Sequence, residues 1–192
     1  MKPILGANLL AVVAVADEIP LEEWSNRGNI VFTGIGKINT CFKLIEAINN
    51  YKPEIIVNLG SVGSLDKNIS GVVEVAEVIE RDFNAFPLCD RGRIPFENNS
   101  NRYKSGYTGV ICGSGDSFVH EFDPWLEQNR VSVVDMELIA IARICHKFGI
   151  PWRSLKYISD YVGINKKNEW NEGVKKASDY LIDAFDNLFI WK

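Results

Sequence analysis

The chain has 192 residues, a length suited to one compact domain with one core. Hydrophobic residues make up 46% and charged residues 24%, a globular balance, and the formal net charge is −4. That weak acidity argues against non-specific nucleic-acid binding and against a polybasic membrane patch, both of which need a basic surface, and leaves a small molecule or a protein as partner.

Leu9–Val15 is a continuous apolar run, as expected of a strand buried on both faces, and acidic Asp17 and Glu18 follow it where a signal peptide would have small residues. A second strand at Asn29–Thr33 ends at Gly34-Ile35-Gly36. Ile38–Asn49 then reads as a helix with Ile38, Phe42, Ile45 and Ile48 on its apolar face, broken by Lys52-Pro53. Glu54–Leu59 is a further buried strand ending in a glycine turn, Gly60-Ser61-Val62-Gly63, and the β-branched run Val72–Ile79 is another. Phe83–Lys104, with Pro87, Gly92 and Pro95, is expected to be a long loop, which in a compact domain is functional or packs on a partner. Short strands at Gly109–Cys112 and Val131–Val134 lead to a helix at Met136–Phe148. Pro151–Ser159 is the final strand and Trp170–Leu188 the closing helix, with Val174, Leu181, Ile182, Phe185 and Leu188 inward. This alternation predicts a single α/β domain over residues 1–192 around a mixed sheet flanked by helices.

Cys41, Cys89, Cys112 and Cys145 form no C-x-x-C pair, and only His120 and His146 could complete a cluster, so no metal site is expected. Apolar neighbours around Cys41, Cys112 and Cys145 read as buried, reduced thiols, which points to the cytoplasm. No other apolar run approaches the ~20 residues of a membrane helix. Four strand ends carry polar or glycine-rich groups: Asp17-Glu18, Gly60–Gly63, Asp135-Met136-Glu137 and Ser159-Asp160. Ligands bind beyond the carboxyl ends of such strands, and carboxylates gathered there raise one another's pKa, as acid/base chemistry requires. Taken singly, each has a plainer reading as a solvated turn, a tight turn or a helix cap. The residues alone reach no further than an α/β enzyme of unspecified substrate.

Six segments in order resemble the nucleoside phosphorylase and nucleosidase superfamily, above all the 5′-methylthioadenosine/S-adenosylhomocysteine nucleosidases. They are AVADEI at 14–19, TGIGKINT at 33–40, IIVNLGSVGSL at 55–65, VICGSGDSFV at 110–119, VVDMELIAIARICHKFGIP at 133–151 and KYISDYVG at 156–163. The resemblance implies that Glu18 activates water and that Asp160 protonates the departing base. It implies that Glu137 holds the ribose hydroxyls with Met136 against the sugar, that Phe118 stacks on the base, and that the Val119 backbone reads its edge. Ser61 lies near the nucleophile, Ser159 orients the acid, and Lys156 stands where an arginine usually helps to hold the water. Asp135 stands where a glutamate is common, and Ser64 replaces a glycine. The implied reaction protonates the purine, breaks the glycosidic bond through an oxocarbenium-like state and needs no cofactor. Phosphorylases of the superfamily hold phosphate with arginines, one of them at the position of Asn58, so water is the expected nucleophile. Futalosine-type hydrolases share the TGIGKINT and YVG features but tend to have Asn at the position of Asp160. They, a phosphorylase and a non-catalytic nucleoside sensor are the alternatives. The resemblance also implies a homodimer, the apolar 83–104 loop reaching the neighbouring subunit.

Overall fold

The computed structural model describes residues 8–25, 27–96, 101–163 and 167–189, with only the backbone of 167–175. The expected inward position of Val174 and the chain before Asn8 lie outside the described residues.

One mixed sheet organises the chain. Strands β1 (Leu9–Val13) and β2 (Asn29–Phe32) are parallel, and β1 also runs parallel to β3 (Ile55–Ser64). β4 (Val72–Glu80) carries the short edge strand β5 (Arg102–Lys104) on one side and β6 (Val110–Ser114) on the other. β7 (Val133–Asp135) lies parallel to β6 but antiparallel to β3. β8 (Trp152–Tyr161) runs parallel to β3 and antiparallel to β4. The pairings β3–β7–β6–β4–β8–β3 therefore close on themselves. This closure positions the site. The end of β7 reaches the ends of β3 and β8 by antiparallel pairing, Gly63 opposite Val134, rather than along one parallel rim.

Both faces of the central strands are apolar because both are covered. Leu10, Val12 and Ile56 face α1 (Lys37–Tyr51) and α3 (Leu138–Phe148), where Leu44, Ile139 and Ile141 complete one core. The alternate residues Ala11, Val13 and Val57 face α4 (Lys167–Phe189), meeting Leu181, Phe185 and Trp24. A third, smaller cluster joins Ile79, Val131 and Val134 to Leu126 of α2 (Pro124–Gln128), a helix capped by Asp123.

Three expectations need correction. The Gly60–Gly63 segment is not a turn: β3 continues through it to Ser64, because β8 pairs with it on one side and β7 on the other. In α1 the buried residues are Thr40, Leu44, Ala47 and Ile48, while Ile38 is 69% and Phe42 73% exposed. The loop expected over 83–104 ends early, at β5, which pairs with the edge of β4.

Candidate active site

The end of β3 organises the first carboxylate. Glu18 lies in the turn after β1, is buried, and its Oε1 accepts from the Ser61 amide at 2.6 Å and the Ser61 hydroxyl at 2.7 Å. Neighbouring Asp17 is exposed. A Cβ on Gly60 would lie 3.1 Å from Glu18 Oε1 and 3.3 Å from Oε2. Gly60 has no positive φ, so the missing side chain serves the close approach of the carboxylate, not the backbone.

The second carboxylate repeats this arrangement. Asp160, partly buried near the end of β8, pairs with Gly63 after a register shift in β3. A Cβ on Gly63 would lie 3.2 Å from Asp160 Oδ2. The Ser159 hydroxyl donates to Asp160 Oδ1 at 2.6 Å and also lies 3.3 Å from the Val62 carbonyl, which fixes it to the sheet. Two glycines of one strand thus each leave room for one carboxylate.

The third group comes from the β7–α3 junction. Asp135 accepts from the Leu138 amide at the start of α3. Glu137 turns away from its own helix, and its Oε1 accepts from the Gly36 amide at 2.8 Å. Burial and the nearby Asp135 charge push the Glu137 carboxyl up to about 7, against the pull of Lys156 and the Gly36 N–H. Lys156 does not line the cleft: it is buried, and its Nζ lies 2.8 Å from Asp135 Oδ2. Burial opposes its charge, but Asp135, Glu137 and Glu18 outweigh it and raise the lysine above its ordinary range. The side chain that sequence reasoning placed against the ligand is instead the internal counter-ion of these acids.

The amides that begin α1 are also occupied. Gly36, in the left-handed region at φ 92°, passes its amide to Glu137, and the Lys37 amide donates to Asp116 Oδ1 at 2.7 Å. The Lys37 ammonium lies 2.6 Å from Asp82 Oδ1 and 3.0 Å from Glu80 Oε1.

Glu18, Ser61, Phe118, Val119, Met136, Glu137, Ser159 and Asp160 all line one cleft. Phe118 is 62% exposed at its mouth. Two carboxylates, a third, buried acid and an exposed aromatic form a set able to move protons around a flat ligand bearing hydroxyls. Among the described residues no group of three or more His, Cys, Asp or Glu side chains is placed to hold a metal ion.

A family model, the Phosphorylase superfamily, matches residues 25–188. The chain belongs to the phosphorylase superfamily. Within it, similar relatives include the 5′-methylthioadenosine/S-adenosylhomocysteine nucleosidases of Buchnera aphidicola and Staphylococcus haemolyticus. The first is 29% identical, with 84% of this chain and 78% of the relative covered, and the second 31% identical, with 70% of each covered. Among solved structures, the Colwellia psychrerythraea methylthioadenosine/S-adenosylhomocysteine nucleosidase in complex with adenine has a TM-score of 0.81 at 18% identity, covering 96% of this chain and 95% of that one. The Helicobacter pylori futalosine hydrolase has the same TM-score and identity, covering 94% and 96%. At that identity these two show a shared fold.

Sequence reasoning missed Arg81, Ile35 and Ser117, which also line the cleft. Arg81 carried a signal: an arginine directly after the apolar alternation of β4, where a core-facing position is expected, needs buried partners. Asn58 lies inside the sheet, where its amide donates to the Val12 carbonyl and its carbonyl accepts from the Ser154 hydroxyl.

Proposed function

We propose that this enzyme is a purine nucleosidase that hydrolyses the N-glycosidic bond of an adenine nucleoside such as 5′-methylthioadenosine, S-adenosylhomocysteine or adenosine. The observation that carries the reading is the seating of Glu18 and Asp160 against Gly60 and Gly63, in one cleft with Glu137 and Phe118. Asp160, oriented by Ser159, gives its proton to the purine as the bond breaks. Glu18, held by Ser61, orients the water that traps the cationic sugar. Glu137 accepts from the ribose hydroxyls, Met136 packs on the sugar, Phe118 stacks on the base and the Val119 backbone reads its edge. An aspartate rather than an amide at position 160 favours adenine over a futalosine-type substrate. The names of the curated relatives and the adenine in the Colwellia complex agree with that choice.

Water rather than phosphate is the nucleophile. A phosphate dianion needs donors that are not already committed. Here the α1 amides serve Glu137 and Asp116, Lys37 serves Glu80 and Asp82, and Lys156 serves Asp135. Arg81, the one cationic residue lining the cleft among the described residues, is bonded to backbone carbonyls and a serine.

Residues 1–192 act as one domain, in the cytoplasm, with a nucleoside as the small-molecule partner; no helix among the described residues is long and apolar enough to cross a membrane. The enzyme works as a homodimer. Phe86, Leu88 and Phe96 of the 83–96 segment are 72–98% exposed, and Ile35, Ile38 and Phe42 add an apolar stripe reaching the mouth of the cleft.

The test is Asp160→Asn, which keeps size and hydrogen bonding but cannot transfer a proton. It should fold, bind nucleoside and lose at least ~10²-fold in kcat, the usual minimum for removing a general acid. Glu18→Gln should lose a comparable factor, and the double variant less than the product of the two. Near-normal turnover by folded Asp160→Asn would contradict the mechanism.

A further inference from the structure

The cleft contains a buried guanidinium to which the proposed chemistry gives no role. Arg81 follows β4 and is 3% exposed, yet among the described residues it makes no ion pair. An arginine buried without a carboxylate is costly unless its donors are satisfied elsewhere. Most of them converge on the end of β6 and the loop after it, and Nη2 also lies 3.5 Å from the Asp135 carbonyl at the end of β7. Nε donates to the Gly113 carbonyl at 3.2 Å, Nη1 to the Ser117 hydroxyl at 3.0 Å, and Nη2 to the carbonyls of Gly115, at 2.8 Å, and of Ser117. Asp82, the next residue, grips the same loop from its donor side, with Oδ2 accepting from the Asp116 amide at 2.5 Å. Gly115 permits that approach, since a Cβ there would lie 2.5 Å from Asp82 Cγ.

The gripped loop runs directly into Phe118 and Val119. Phe118 itself is mostly exposed. A ring in that setting is not fixed by its own packing, and its orientation depends on the backbone before it. That backbone is anchored at the Ser117 carbonyl by Arg81. A planar guanidinium presents several donors in a fixed fork, which suits it to hold the carbonyls of Gly113, Gly115 and Ser117 at once; an ammonium group on a shorter reach does not.

We propose that Arg81 is the positioning residue of the base-binding segment: it sets the plane of Phe118 and the placement of the Val119 amide through the carbonyls of residues 113–117. The proposal rests on the reading of Phe118 and Val119 as the base contacts. A role of this kind acts on binding of the base more than on the bond-breaking step, because the stacking exists before the bond breaks.

The experiment compares the wild-type protein with Arg81→Met and Arg81→Lys. Three readouts are taken: amide hydrogen exchange, adenine affinity by calorimetry, and kcat and KM on 5′-methylthioadenosine. Arg81→Met should speed exchange at residues 115–119 by about tenfold or more while β3 amides stay at wild-type rates, as a local opening does. Adenine Kd and nucleoside KM should each rise about tenfold, the scale of one base-stacking contact, with a smaller fall in kcat. Arg81→Lys keeps the charge but not the fork and should show the same binding loss with better stability; it carries the test if Arg81→Met does not fold. A variant that merely melts lower, with wild-type loop exchange and adenine affinity, overturns the proposal. If the wild-type enzyme itself binds no adenine, the base-binding reading fails and this inference with it; normal wild-type binding beside an unaffected variant defeats the Arg81 assignment alone.

Discussion

At the scale of single residues, the site is a set of acids whose charges are managed by burial and by one internal cation. Glu137 is the most perturbed of them, raised to about 7 first by burial and then by Asp135. In its proposed role it must be ionised to accept from both ribose hydroxyls. We therefore expect kcat/KM to fall about tenfold per unit below pH 7 in the free enzyme, the slope of one titrating group. Glu137→Gln should abolish that limb at a lower plateau. Lys156→Met should move it to higher pH, because Lys156 lowers the Glu137 pKa. The effect on folding has the opposite sense. The folded pKa lies above the ordinary 4.5, so stability from this group is present below pH 4.5 and is lost as pH rises through about 7. A pH–rate profile flat between pH 6 and 8 would contradict the assignment. The glycines make a second prediction at this scale. Ala at Gly60 or Gly63 meets no strained φ, and its tightest neighbour is a carboxylate oxygen at 3.1–3.2 Å, with Val134 Cγ2 a further 3.4 Å contact at Gly63. Each substitution should cost about 1–3 kcal/mol of crowding at most, while displacing one of the two proposed catalytic carboxylates and lowering kcat well beyond that stability loss. Equal activity of Gly60→Ala and wild type would show that the Glu18 seat is not needed.

At the scale of elements, the order of strands and helices could be read from apolar runs and breakers, and Glu18, Ser61, Met136, Glu137, Ser159 and Asp160 stand out as strand-end groups, whereas Phe118 and Val119 come only through the resemblance. The failures have physical causes. Gly60-Ser61-Val62-Gly63 looks like a turn because glycine is read as backbone freedom, whereas here it marks closeness to Glu18 and Asp160, which only the fold brings there. In α1 both faces hold apolar residues, and periodicity favoured the larger ones. The structure buries the expected Ile48 together with Thr40, Leu44 and Ala47, allowing α1 to lie against α3 and β2. Lys156 reads as a cleft cation by position, but its partner Asp135 is far away in sequence, and a buried pair of that kind leaves no local pattern. The short strand β5 is an edge strand of three residues, Arg102–Lys104, too brief and too polar to register as a strand.

At the scale of the molecule, the exposed stripe on α1 and the 83–96 segment explain each other if a second copy covers both. A stable two-fold interface buries roughly 1,600 Å² or more, and its apolar centre is the most sensitive part. Phe42→Lys should therefore shift the enzyme from dimer to monomer in light scattering, with loss of activity but retention of the far-ultraviolet spectrum. A wild-type enzyme that is monomeric at micromolar concentration and fully active would remove the dimer.

The claim that the whole molecule is a nucleosidase rests on products. The purified enzyme is incubated with 5′-methylthioadenosine, S-adenosylhomocysteine, adenosine, inosine and a futalosine-type nucleoside, with and without phosphate, and the base and sugar are separated by chromatography. The account predicts free adenine and a reducing sugar from at least one adenine nucleoside, at a rate that phosphate does not change. Turnover that appears only with phosphate and accumulates a sugar 1-phosphate would contradict it.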